Sequence, residues 1–444
     1  MDTSLIPDTL HSSAAPYSHN SLGVQPRAAA GQLKILLSPE EELLVSLVTG
    51  RYDPALLSKA DWPALTVTAV RLGMLGHLAR RAEEFSLAGV PGSSLATCVE
   101  AWRGQAAFNL LLAHTEKDWL GVLAERGITA IPLKGVSLSR ILYRSPAVRS
   151  TTDVDLLVPA AQMSTAAEIF EERGYRSALP RALLSRRAFL SHADEHTAET
   201  VYVAELGGIP VQVELHWKIL PLQEKTIWNL LFEYDATGGA VRGLSPAPYL
   251  LYLCAHLAGH GWRSLHWLAD IAAFLEKFSG HMDAAEFLGH CDRARLRHRV
   301  GVTFALLEAY FGIQWQPATS LVTVRARRAA ESFLRRPLEP ASTPGVLEVH
   351  RERLRQLDGG KDRLRYLSRL ARPTREEWAR EDGSLRTTAA AWAIRARRLL
   401  NLANGENKPE IIVESDFSSS ANRHPQDPAE RQPQRPLERP RGTI

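Results

Sequence analysis

The sequence predicts a mixed α+β fold: a small mixed β-sheet flanked by helices, with helical regions before and after it in the chain. Three observations predict it. Apolar residues recur at helical spacing in the first third of the chain and again from Tyr249 to Phe311. Between those regions lie short runs of β-formers, Val154 to Val158, Val201 to Glu205 and Val211 to Trp217, punctuated by glycine and proline. Helix, strand, turn, helix and strand then alternate over residues 94–158, the order of an α/β unit.

The chain has 444 residues, a formal net charge of +4 and a pI near 9.0. That length is ample for a core and suggests two or three structural units. The excess of base over acid is small for the size, so charge alone does not indicate nucleic-acid binding. Cys98, Cys254 and Cys291 lie far apart without CxxC spacing. This argues against a zinc ribbon or a disulfide framework and fits a reducing, cytoplasmic setting. No apolar run is long enough to span a bilayer, and the N-terminus lacks a basic-then-apolar signal, so no membrane partner is expected.

Taken in order, residues 1–33 are rich in Ser, Ala, Pro and Gly without period and read as a disordered segment. A helical region over 34–126 follows. Ser38-Pro39-Glu40-Glu41 supplies an N-cap, a proline at the first helical position and acids in the first turn. Residues 53–86 read as short helices broken at Pro63, and 94–126 as a long amphipathic helix closed by Gly127. A central region over 127–244 opens with a short buried strand, Ile128 to Leu133, running into a Lys134-Gly135 turn. Pro159 stops the strand Val154 to Val158, and residues 160–173 form a helix ending at Gly174-Tyr175. Residues 201–205 and 211–217 form a hairpin joined by Gly207, Gly208 and Pro210. Arg181, Arg186 and Arg187 precede it and could meet phosphates, but a surface helix explains them as well; His192 and His196 read as structural. A second helical region covers 245–403, with Tyr249 to Lys277 helical and an Arg-rich part from residue 320. Residues 404–444 read as a disordered tail.

The chemistry concentrates in residues 133–158. Side chains on a strand alternate faces, so Asp153 and Asp155 point the same way. Two carboxylates on one face of a mostly apolar strand repel each other and are costly to bury. A divalent cation between them removes that cost, and Mg²⁺ favours carboxylates plus substrate phosphates. The pair therefore suggests metal-assisted chemistry on a nucleotide. Upstream, Gly135 lets the backbone approach a ligand closely. Ser137 and Ser139 offer hydroxyls, and Lys134 and Arg149 offer cations for phosphate. In the second hairpin strand Gln212, Glu214 and His216 share the face opposite Val211, Val213 and Leu215, which makes Glu214 a third carboxylate among β-formers. His256 and His260 stand at i and i+4 on one helical face. That spacing can bind zinc, but the HExxH glutamate is absent, and a substrate-side or structural role is favoured.

The ordered set of Lys-Gly turn, helix ending in Leu-Tyr, Arg, Asp-Val-Asp-Leu-Leu-Val and later Glu-Leu-His-Trp resembles the nucleotidyltransferase-fold superfamily. Within it, the chain is most similar to an uncharacterised bacterial nucleotidyltransferase family with these motifs. It departs where Val136 separates Gly135 from Ser137 and in the long stretch before Asp153. The resemblance covers roughly residues 40 to 320. It implies Asp153, Asp155 and Glu214 as catalytic ligands of Mg²⁺ or Mn²⁺, and Lys134, Gly135, Ser137 and Arg149 as nucleotide contacts. It further implies His216, His256 and His260 on the substrate side. The donor would be an NTP such as ATP, and a nucleotidyl group such as AMP would pass to an acceptor hydroxyl that the sequence does not name. Two other classes stand beside this reading. One is a catalytically silent nucleotide-binding or regulatory module on the same fold, against which the intact Asp153, Asp155 and Glu214 argue. The other is an RNA-binding protein using the Arg-rich helices, where Arg and Trp interleave around Trp378 and Trp392; a basic amphipathic surface is the commoner explanation.

Overall fold

A computed structural model describes residues 37–50, 57, 59–87, 89–177, 198–219, 224–229, 231–335, 346–373, 377 and 386–403. The two segments expected to be disordered, 1–33 and 404–444, lie outside the described residues, as do Arg181, Arg186, Arg187, His192, His196 and Trp378.

Capping chemistry starts the first helix where the sequence predicts it. α1 (Pro39–Thr49) is preceded by Ser38, whose hydroxyl accepts from the Glu41 N–H while the Glu41 carboxylate accepts from the Ser38 N–H. Pro63 does not break a helix. It sits in the first turn of α2 (Trp62–Arg71), where a missing N–H is tolerated, and the Asp61 side chain caps the Ala64 N–H. α3 (Leu75–Ala79) and α4 (Ala82–Leu87) lead to the long helix α5 (Gly92–Glu125), after which Gly127 adopts φ +72°.

The sheet elements follow as β1 (Ile131–Pro132), α6 (Gly135–Tyr143), β2 (Val154–Leu157), α7 (Met163–Glu172), β3 (Arg176–Ser177), β4 (Ala198–Leu206) and β5 (Ile209–Lys218). Their order across the sheet is β1-β2-β5-β4-β3, with β2 parallel to β5 and every other pair antiparallel. This is the mixed sheet the sequence predicts. β1 is shorter than the run Ile128 to Leu133. The β4–β5 hairpin turns on Gly207 and Gly208 alone, at φ +59° and +80°, as a tight two-residue turn requires. Pro210 lies inside β5 opposite Glu205, beyond the segment paired with β2, which starts at Val213. α8 (Glu224–Asn229) precedes a small second sheet, β6 (Leu231–Tyr234) with β7 (Val241–Leu244), that the sequence reading does not contain.

The helical run expected from Tyr249 to Lys277 is two helices, α9 (Pro246–Gly259) and α10 (Leu265–Phe278). The chain reverses between them through Gly261 and Trp262, at φ +69° and +53°. α11 (Ala284–Ala294), α12 (Arg297–Phe311), α13 (Val324–Leu334), α14 (Val346–Gln356), α15 (Gly360–Leu370) and α16 (Thr388–Ala403) follow. No helix among the described residues is long and apolar enough to cross a membrane.

Two cores position the sheet. One joins helices from both sides of it in sequence, with Leu44, Leu65 and Phe85 buried in one cluster with Leu250, Phe274 and Phe304. The other holds Val154, Leu156, Val213 and Leu215 against α5 and α7, where Trp119 stacks on Phe170 with ring centres 3.6 Å apart. Alternation then turns Asp155, Leu157, Glu214 and His216 to the opposite face, where Leu157 joins the first core.

Candidate active site

The parallel register of β2 and β5 assembles the acidic face. Asp155 lies opposite Glu214, and Leu157 opposite His216. Ligand atoms of Asp155, Glu214 and His216 all fall within 4.8 Å of one another. Asp153 stands one residue before β2 and joins through a lysine: Lys134 Nζ is 2.8 Å from Asp155 Oδ1 and 3.9 Å from Asp153 Oδ2. The repulsion expected between the two acids is therefore offset by an ammonium from the N-cap of α6, where the sequence reading places only a metal ion.

The electrostatics follow from this pairing. Burial alone would discharge Lys134, but Asp153, Asp155 and Glu214 outweigh it and hold its pKa well above the ordinary value. Burial would likewise raise Asp155; Lys134 and His216 override it and keep its carboxyl well below the usual range. Glu214 is held less closely, 3.5 Å from His216 Nε2, and neither that contact nor Lys134 offsets its burial. Burial and the charge of Asp153 push it up to about 8. Burial also raises Asp153. The imidazole of His216 is held from both sides, with Nε2 3.0 Å from Asp155 Oδ1 and Nδ1 3.0 Å from Glu199 Oε2. Burial would lower its pKa, yet Glu199 and Asp155 hold it well above the ordinary value. Gln212 Nε2 donates to Glu214 Oε1 at 3.0 Å and fixes that side chain.

The predicted phosphate contacts divide. Gly135 takes φ +64°, a conformation that calls for glycine, while an added Cβ would meet Asp153 O and Thr151 Cγ2 only at an ordinary 3.4 Å. The α6 N-terminus that it opens has no side-chain cap. The Ser137 hydroxyl donates to Glu116 of α5, and both groups are buried. Arg149 is buried in an ion pair, Nε 2.7 Å from Asp270 Oδ2 of α10. It belongs to a clamp on the long connection before Asp153. Trp102 Nε1 donates to Ala147 O at 2.8 Å, Asn109 Nδ2 to Arg149 O at 2.7 Å, and Tyr143 Oη to Asp270 Oδ1 at 2.8 Å. His256 and His260 face each other with ring centres 4.7 Å apart and share the Trp267 ring; neither belongs to a candidate metal cluster among the described residues.

Two carboxylates near the site escape the sequence reading. Glu116 sits on the apolar stripe Leu112, Trp119, Leu123 of α5, and an acid at that phase is the signal that could have found it. Burial lifts its carboxyl to about 7 despite the Ser137 hydrogen bond. Glu199 pairs with His216 across β4–β5. It precedes the β-former run, so nothing in the pattern marks it.

A mixed sheet that gathers Asp153, Asp155 and Glu214 beside a lysine and an uncapped helix N-terminus is the scaffold of a nucleotidyltransferase. The chain belongs to the uncharacterised nucleotidyltransferase family, whose model matches residues 58–312 and so contains every site residue named above. Membership gives nucleotidyl transfer from a nucleoside triphosphate as the general reaction class. No curated protein and no solved structure matches the chain.

Proposed function

We propose that the protein transfers a nucleotidyl group, AMP from ATP in the simplest case, to an acceptor hydroxyl with release of pyrophosphate. One observation carries this reading. Asp155 Oδ2 is buried without a hydrogen-bond partner among the described residues, in the cluster it forms with Glu214 and His216. A buried acceptor of this kind is rare unless something binds it. The donor set suits a divalent cation. Asp153, Asp155 and Glu214 offer hard carboxylate oxygens, which suit Mg²⁺ or Mn²⁺. A cation held there would polarise the phosphoryl oxygens and neutralise their developing charge.

The chain's own groups supply the rest. Lys134 pairs with phosphate oxygens, and the open N-terminus of α6 presents N–H groups to them. Glu199 orients the His216 ring through Nδ1. Glu214, with its raised pKa, is placed to take the acceptor's proton as the new O–P bond forms at the α-phosphorus and the bond to pyrophosphate breaks. The buried thiols Cys98, Cys254 and Cys291 suit a cytoplasmic setting.

The test has two arms. Incubating the protein with α-labelled ATP, Mg²⁺ or Mn²⁺ and a cell extract should transfer label to an acceptor, and Glu214→Gln should not. Mn²⁺ with ATP should raise the wild-type melting temperature, by about 2.7 kcal/mol of stabilisation at a hundredfold excess over Kd. A shift of equal size in Glu214→Gln and Asp155→Asn would place the ligands elsewhere.

A further inference from the structure

The acidic cluster and Lys134 account for the charged half of an NTP and leave its uncharged half without a place. Beside them α9 carries a row of rings at i, i+4 and i+8: Tyr252, His256 and, at its C-cap, His260. Ring centres are 6.1 Å apart for Tyr252 and His256 and 4.7 Å for His256 and His260. Trp267 of α10 meets His256 at 4.5 Å and His260 at 4.8 Å. The row runs from the interior outward, since Tyr252 is 1% exposed, His256 is half-buried and His260 is exposed.

Its inner end adjoins the acidic face, because Lys134, Asp155 and Glu199 all act electrostatically on the Tyr252 phenol. Two buried polar atoms along it, Tyr252 Oη and His256 Nε2, have no hydrogen-bond partner among the described residues. A packed structural cluster rarely leaves two such atoms unsatisfied. Burial and the nearby Lys134 charge keep His256 well below its ordinary pKa, so its ring is neutral. These four rings thus offer flat surface, one hydroxyl and one imidazole nitrogen, and no charge with which to hold a phosphate.

We propose that this row is the nucleoside seat: the base lies against Trp267 and the imidazoles, and Tyr252 Oη and His256 Nε2 hydrogen-bond to ribose or base-edge groups. The inference rests on the proposed NTP reaction and assigns the part of the donor that the metal-and-lysine site does not touch. Aromatic rings accept any base by stacking, and the two polar atoms then orient the sugar or select the base.

Binding by the 444-residue chain separates the two readings. Calorimetric titrations with Mn²⁺ would compare ATP with inorganic tripolyphosphate, which lacks a nucleoside. Tyr252→Phe removes only the hydroxyl, and His256→Ala only the imidazole. Each should weaken ATP by about tenfold, the equivalent of one lost hydrogen bond, and leave tripolyphosphate within about twofold. Unchanged ATP affinity in both variants, with tripolyphosphate bound normally, overturns the nucleoside seat and leaves the nucleotidyl-transfer reading standing. Equal weakening of both ligands also overturns it, since the row then only supports the phosphate site. If the wild type binds neither ligand, the NTP reading itself fails and this inference with it.

Discussion

Replacing Glu116 by glutamine should make the protein's stability less sensitive to pH, and the size of the effect can be worked from the site. Glu116 is 2% exposed, and burial raises its carboxyl from 4.5 to about 7. The folded state therefore binds this proton more tightly than the unfolded chain. The associated stability is fully present below pH 4.5, falls as pH rises, and is lost by about pH 7. At about 1.4 kcal/mol per pH unit, the span from 4.5 to about 7 corresponds to roughly 3 kcal/mol. Glutamine keeps the shape and can accept from Ser137, but it does not titrate. Urea unfolding of both proteins at half-unit steps from pH 4.5 to 8 isolates this group, because most other titrations cancel in the difference. Glu116→Gln should gain about 3 kcal/mol on wild type across that range. A difference that stays flat would refute the reasoning and show Glu116 to be ionised in the fold throughout.

Three further outcomes follow from packing and charge. In Gly76→Ala the new Cβ would stand 2.1 Å from Val148 O, beside the connection that carries Arg149. A loss of about 1–3 kcal/mol is expected in urea, and an unchanged midpoint would mean that this contact yields freely. Asp270→Asn leaves the buried Arg149 guanidinium without its carboxylate, which should cost about 3–5 kcal/mol in thermal unfolding; Arg149→Met combined with Asp270→Leu should lose less than the two single changes added together. Asp155→Ala in EDTA should lower the melting temperature, because it removes the carboxylate 2.8 Å from Lys134 Nζ, and a rise would show that repulsion between the acids dominates.

Much of the fold was legible because local signals agreed. The Ser38 capping box, the apolar phase of α5 and the alternation in β5 each specify one structure, and the structure has it. Failures fall where one residue type serves two ends. Proline reads as a breaker, yet Pro63 starts a helix and Pro210 lies in a strand segment that β2 does not reach. The reversal at Gly261 and Trp262 hides in a chain that stays apolar on both sides of it. For the site, period two was enough to put Asp153, Asp155, Glu214 and His216 on one face, since register follows from burial of the alternate residues. It says nothing of partners distant in sequence. Arg149 and Ser137 look like phosphate contacts because they lie near the acids in the chain, whereas Asp270 and Glu116, far from them in the chain, claim both side chains.

Lys134 shows what that blind spot hides. Its ammonium serves the carboxylates, and the proposed function asks it to serve phosphate as well, so on that reading the two partners compete for one cation. A divalent ion alone, on the open Asp155 Oδ2, would repel the Lys134 ammonium held on Oδ1 and weaken that buried pair. An NTP alone would draw Lys134 away and strand the acids. Arriving together, each ligand satisfies the group that the other frees. Metal and NTP should therefore bind with positive coupling, typically about 1–3 kcal/mol, and by reciprocity each should tighten the other by the same factor. Lys134→Met removes the shared cation. In it Mn²⁺ should bind more tightly than in wild type when nucleotide is absent, nucleotide should bind more weakly, and the coupling should shrink towards zero. Titrating Mn²⁺ with and without ATP in both proteins measures all three quantities. Coupling of equal size in wild type and Lys134→Met would mean that the ammonium stands outside the exchange.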